Sequence, residues 1–123
     1  MKFHSFILMS LFFSVLLLSG CARSDELALG RYVMKDADIE DFAWVDLQAN
    51  NRFTFNRHIA TSYRPTGTYT IEDNQLTLRV NSEEFYVFKI VNKTLVFESE
   101  GSVPSLIEVG TVFELKKSNN QYN

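Results

Sequence analysis

The sequence predicts an all-β domain, an antiparallel meander of about eight strands forming a barrel or a β-sandwich. Three observations lead there. Apolar and polar residues alternate with a period of two in short runs, the pattern of a strand with one dry and one wet face. Asn- and Asp-bearing turns separate paired runs, and these residues tolerate the left-handed backbone of tight hairpins. Connections are too short for the helical crossovers that parallel strands need.

The strands follow in order. Gly30 to Met34 (GRYVM) is the first candidate, and Lys35 to Asp41 is an acidic loop or short helical turn. Phe42 to Leu47 (FAWVDL) and Arg52 to Arg57 (RFTFNR) are the second and third, joined through Ala49-Asn50-Asn51. Gly67 to Ile71 (GTYTI) and Gln75 to Val80 (QLTLRV) flank Glu72-Asp73-Asn74. Phe85 to Val91 (FYVFKIV) and Thr94 to Ser99 (TLVFES) flank Asn92-Lys93, and Thr111 to Lys116 (TVFELK) is the eighth. The spacing of Asn51, Asn74 and Asn92 is irregular, so this is meander grammar rather than a sequence repeat.

Alternation also assigns faces. Phe53 with Phe55, Tyr69 with Ile71, and Leu76 with Leu78 and Val80 form shared faces. So do Phe88 with Ile90, Leu95 with Phe97, and Phe113 with Leu115. Thr, Arg, Glu and Lys take the opposite positions. Eight such strands can close into a barrel, filled by side chains or holding one small ligand. The large inward phenylalanines favour a filled interior. A two-sheet sandwich is the alternative.

The N-terminus has a different character. Lys2 supplies a positive charge, Phe6 to Leu18 is apolar except for Ser10 and Ser14, and Ser19-Gly20 are small. These are the three regions of a secretory signal peptide, expected as a helix over residues 1–20. The apolar run is shorter than the ~20 residues that cross a bilayer. Leu18-Ser19-Gly20-Cys21 closely resembles the lipobox of bacterial lipoproteins. That resemblance implies a diacylglyceryl lipid on the Cys21 thiol, fatty acylation such as palmitate, and cleavage just before Cys21. It also implies attachment to a bacterial membrane at the cell envelope. Ala22 and Arg23 lack the aspartate that typically signals inner-membrane retention in Gram-negative lipoproteins. The destination is then the outer membrane in such a cell, or the outward face of the plasma membrane in a Gram-positive one. Two acyl chains anchor stably where one is marginal.

Cys21 is the only cysteine among 123 residues, so no disulfide is available and the hydrophobic core must hold the domain. From Cys21 onward 103 residues remain, enough for one domain. The expected organisation is a lipidated tether over 21–28, a β domain over 29–116 and a frayed tail over 117–123. With Lys2 removed, 11 basic side chains face 15 acidic ones, a net charge of −4. No basic stripe marks nucleic acid as a partner. No polybasic patch marks anionic lipid.

The strands carry a second resemblance. Gly30-Arg31-Tyr32, VDLQANNRFTF, GTYTIEDNQLTL and FKIVNKTLVFE are similar to the small lipocalin-like domains of bacterial lipoproteins, with Tyr32 where those have Trp. The resemblance implies a barrel-type fold and no particular ligand.

Few residues can carry chemistry. His58 is the one histidine beyond the signal segment, so a Cys- or His-rich zinc site cannot be built within one chain. No nucleophile-elbow pattern accompanies it, and no cofactor motif is present. The reading is therefore non-enzymatic, with no cofactor expected. Arg57, His58, Tyr63 and Arg64 cluster between the third and fourth strands as a possible rim for a partner protein or small ligand. Asp36, Asp38, Glu40 and Asp41 lack the glycine and distant glutamate of a calcium loop, and read as a solvated acidic loop. If Ala43, Val45 and Leu47 are buried, Phe42 and Trp44 face outward as a partner patch. The preferred reading is the other one, with Trp44 pointing in or covered by Ser102 to Gly110. The expected function is a membrane-anchored extracytoplasmic binding or interaction module, with a small-ligand carrier as the alternative.

Overall fold

The computed structural model describes residues 27–117. The expected signal helix, Cys21 and the 118–123 tail lie outside the described residues. Eight strands run in order: β1 (Gly30–Met34), β2 (Trp44–Gln48), β3 (Arg52–Asn56) and β4 (Thr66–Glu72), then β5 (Gln75–Arg79), β6 (Phe85–Val91), β7 (Thr94–Glu100) and β8 (Val112–Leu115). Each pairs antiparallel with the next, and β8 returns to β1 with Tyr32 opposite Leu115 and Met34 opposite Phe113. The sheet is a closed barrel, not a sandwich. Closure gives every strand two partners, so no ladder edge is left open to another chain.

The hairpin chemistry follows from the turn residues. Asn50, Asn51, Asp73, Asn74, Asn92 and Lys93 all have positive φ, between 49° and 64°. The two-residue links Asp73-Asn74 and Asn92-Lys93 join directly paired strands, where left-handed turns match the strand twist. Lys93 is the poor fit, since a side chain in this region meets its own carbonyl. Lys93→Gly is expected to raise stability by about 0.5–1 kcal/mol, the steric relief less the extra entropy of an unfolded glycine. A urea-unfolding midpoint below that of the parent would refute it.

The inward positions pack as alternation predicts. Val45, Phe55, Leu76, Leu78, Tyr86, Phe88, Leu95 and Phe113 are fully buried. Phe88 sits at the centre, with ring centroids 5.8 Å from Phe55, 5.5 Å from Phe97 and 5.6 Å from Phe113, all edge to face. Edge-to-face packing sets the positive rim of one ring against the negative face of another. Ile71 and Leu115 keep their parity but are 39% exposed, because they lie at the barrel's end and overhang the core.

Several boundaries shift by one or two residues. β2 begins at Trp44 rather than Phe42, β3 ends before Arg57, and β8 is four residues long. Residues 35–41 form turns and bends rather than a helical turn, with Asp36 and Asp41 at positive φ. A β-bulge interrupts the β6–β7 pairing between Val87 and Phe88, so that Val87 faces Ser99 while Phe88 faces Phe97. The extra residue, Glu98, inverts the parity of β7 beyond it, and Glu100 comes to lie opposite the inward Tyr86.

The barrel therefore has two unlike ends. One holds the tight turns at 49–51, 73–74 and 92–93, together with residues 27–29 leading into β1. The other holds the long connections at 35–43, 57–65, 80–84 and 101–111.

Candidate functional site

The loop end gathers the polar chemistry. β3 buries Phe53 and Phe55, and the next position of that parity is Arg57, which is carried over the barrel mouth. Its Nη1 donates to the Pro104 carbonyl at 3.0 Å, and its guanidinium lies 5.1 Å from the Tyr63 ring centroid. Beneath it is Glu84, a buried carboxylate in the β5–β6 connection. Asn81 Oδ1 accepts from the backbone N–H groups of Glu83 and Glu84, a local turn that aims Glu84 inward. Glu84 accepts from the Tyr63 hydroxyl at 2.9 Å and from the Tyr86 hydroxyl at 2.5 Å. The Tyr86 ring is 4.9 Å from Phe55, so this polar cluster stands directly on the aromatic core.

Burial, then the Glu84 contact, pushes the Tyr86 hydroxyl well above the ordinary tyrosine range, with Arg57 opposing. Tyr63 is raised by the same two causes, and Tyr32 chiefly by burial. The ordinary value is 10.0. Above it the unfolded chain loses these protons while the fold keeps them, so the native state binds more protons. Stability is then whole below pH 10.0 and falls as pH rises through it. Tyr86→Phe is expected to flatten that alkaline fall, at the cost of one donor to Glu84. An unchanged slope in alkaline urea titrations would show that Tyr86 does not carry the effect.

The long β7–β8 connection is pinned by the bulge. Glu100 Oε2 accepts from the backbone N of buried Ser105 at 2.5 Å, and Ser105 Oγ accepts from Ile107 N. Between these anchors Leu106 has φ of 69° and is 66% exposed. A leucine in this region costs ~1–2 kcal/mol, spent here on holding an apolar side chain out in water. Ile39, Ile59, Tyr63 and Val109 are exposed on the same loops.

The residues singled out in the sequence are only partly brought together. Arg57 and Tyr63 belong to the polar cluster. Arg64 Nη1 donates to the Thr61 carbonyl and shapes its own loop. His58 Nδ1 accepts from Ala60 N at 2.9 Å, and its ring packs edge-on against Phe42 at 4.4 Å. These contacts hold a turn. Phe42 also packs against the core cluster. Trp44 does not point inward. Ala43, Val45 and Leu47 take the inward positions, and Trp44 lies on the outer wall opposite Asn56. Its cover is Arg31, stacked 3.8 Å from the ring centroid and held by a two-bonded ion pair to Asp46 at 2.8 and 3.0 Å. The bond to Asp46 raises the Arg31 pKa.

Glu84, Tyr86, Glu100 and Ser105 were not foreseen in this role. Asn81 followed by Glu83-Glu84 was the available signal for the first. A bulge leaves no such signature, so Glu100 was not legible. Glu40 and Asp41 pair with Lys116 at 3.5 and 3.4 Å. No group of three or more His, Cys, Asp or Glu side chains is placed to hold a metal ion among the described residues. Nor is any helix among them long and apolar enough to cross a membrane.

A separate groove lies elsewhere. About 570 Å³ at the turn end is lined by Leu27, Asn74, Lys89, Ile90, Val91 and Lys93 among others. A groove of about 300 Å³ runs along the acidic loop from Met34 to Phe42. Compared with known proteins, the chain matches no family model, no curated protein and no solved structure.

Proposed function

We propose that this chain is a lipid-anchored, extracytoplasmic protein of the bacterial cell envelope, whose barrel is a non-enzymatic interaction module presenting its loop end to a partner protein. The observation that carries the reading is the division of the barrel. Its interior is occupied by interlocking aromatic rings, while exposed apolar side chains, Leu106 on a left-handed backbone among them, stand on the loops around a polar cluster. Exposed apolar residues held on a fixed scaffold are the usual make-up of a protein-binding patch. The Glu84 carboxylate is held by two phenols, and His58 is held in a turn, which argues against acid–base catalysis. The closed eight-stranded barrel supports the likeness to small lipocalin-like domains, and the Leu18 to Cys21 lipobox supports the anchor.

Photo-crosslinking from position 106 in the native host tests the module. One discrete envelope protein should be captured, and Ile59→Asp should abolish the capture while leaving the thermal midpoint unchanged. Native mass spectrometry of the same preparation should give the lipidated polypeptide with no further mass. A reproducible small-molecule adduct would overturn the module in favour of a ligand carrier. The anchor has its own measurement, since Cys21→Ala should remove fatty-acid labelling.

A further inference from the structure

We infer that the turn end of the barrel docks on the lipid bilayer, inserting Leu29 and Val91 among the headgroups while the loop end points away. The inference rests on the anchor proposed above and names the surface that anchor brings to the membrane. Three observations converge on it.

The first is where the chain leaves the barrel. Tyr32 stands inside the barrel, 1% exposed, and its hydroxyl donates to the Ala28 carbonyl at 2.7 Å. That bond folds residues 27–29 against the turn end, where Leu27 packs on the core cluster and lines the groove beside Ile90 and Val91. The departure point is therefore fixed by a partly buried hydrogen bond and by packing.

The second is reach. Five residues lie between Cys21 and Leu27, six Cα-to-Cα steps in all. At ~3.3–3.6 Å per extended step they span at most ~22 Å. A strand of five to seven residues is itself roughly 17–23 Å long. To set the loop end on the bilayer, the tether would have to run the length of the barrel wall. The turn end needs almost none of it.

The third is the surface presented there. Leu29 is 55% exposed, and Ile71, Leu115 and Val91 are 38–39% exposed, all at this end. Lys89 and Lys93 line the groove with Leu27 and Val91. Lysine stems lie along apolar surface and lift their charge to the headgroups. Glu72 and Asp73 occupy the neighbouring turn and offset that charge. Docking is then chiefly apolar, at the shallow depth of an interfacial protein.

Full-length, lipidated protein carrying Val91→Cys or Leu29→Cys offers a single labelling site, because the Cys21 thiol is acylated. Each is labelled with nitrobenzoxadiazole and reconstituted on phosphatidylethanolamine–phosphatidylglycerol vesicles, with Leu106→Cys as the distal position. The expected result is a blue-shifted emission and protection from aqueous iodide at 91 and 29, with neither change at 106. Acylated protein whose probes at 91 and 29 stay as wet as that at 106 would overturn the docking and leave the anchor standing. Protein whose intact mass lacks the lipid would overturn both. Protection already present before vesicles are added would assign the face to a second copy of the chain and overturn the bilayer as its occupant.

Discussion

Gly67→Ala is expected to unfold the barrel or to leave it barely stable. Gly67 lies in β4 opposite Phe53 of β3. A Cβ at this position would meet the Arg79 carbonyl oxygen of β5, its other neighbour, at 2.1 Å, and the Phe53 ring at 3.1 Å. Real Cβ contacts do not fall below 3.0 Å, so the β4–β5 seam would have to part by roughly 0.9 Å, 3.0 less 2.1. The obstacle is backbone, which cannot rotate away as a side chain can. In an open sheet an edge strand could slide outward. In a closed barrel the displacement must pass into β6 and around the ring, through a core packed without slack. The cost should reach at least the upper end of overpacking, ~3 kcal/mol. A domain of this size holds about 5–15 kcal/mol in all. Gly110→Ala is the matched comparison. Nothing lies within 4 Å of a Cβ there, and only its φ of +94° opposes the change. It should cost about 1–2 kcal/mol. Urea midpoints of the two variants, followed by far-ultraviolet circular dichroism, decide the matter. Equal midpoints would mean that the close approach of β4 to β5 does not constrain the fold.

The existence and order of all eight strands could be read from the sequence, because one face of each is dry and the period of two is then unambiguous. Turn residues added the hairpins: Asn50-Asn51, Asp73-Asn74 and Asn92-Lys93 all adopt the left-handed backbone their chemistry allows. Barrel and sandwich could not be separated, since both place the same residues inside. The β8–β1 pairing that decides between them is a non-local contact with no local sign. The site was less legible. Arg57 and Tyr63 were visible as a loop cluster, but their partner Glu84 looked like one of many surface carboxylates. Its burial is set by the two phenols that reach it, one 21 residues away in sequence. Trp44 was misplaced for a related reason. A large aromatic residue beside three smaller apolar ones suggests core, but Ala43, Val45 and Leu47 fit the crowded inner wall and Trp44 does not need it. Arg31 supplies the cover from a neighbouring strand, and period-two reasoning along one strand cannot see it.

Phe88→Ala is expected to open the one space that this barrel lacks. Phe88 is fully buried, and its ring touches those of Phe55, Phe97 and Phe113, which come from three other strands. Truncation removes the transfer free energy of the ring and leaves a hole, because rings held on different strands of a closed barrel cannot all collapse inward. A change of this kind costs ~3–5 kcal/mol, a large share of the total stability. The hole would be lined by aromatic carbon, and an apolar cavity of this sort stays dry and takes up small apolar guests. The variant should therefore regain stability when benzene or xenon is added, by the usual linkage between ligand concentration and unfolding. The parent should gain nothing from the same guests. This pairing separates two accounts of the interior. If Phe88 plugs a filled core, destabilisation and rescue appear together and only in the variant. If the parent also binds benzene, the interior already has room, and the carrier reading returns. If Phe88→Ala is destabilised but not rescued, the neighbouring rings have moved in, and the aromatic cluster is more pliable than its edge-to-face geometry implies.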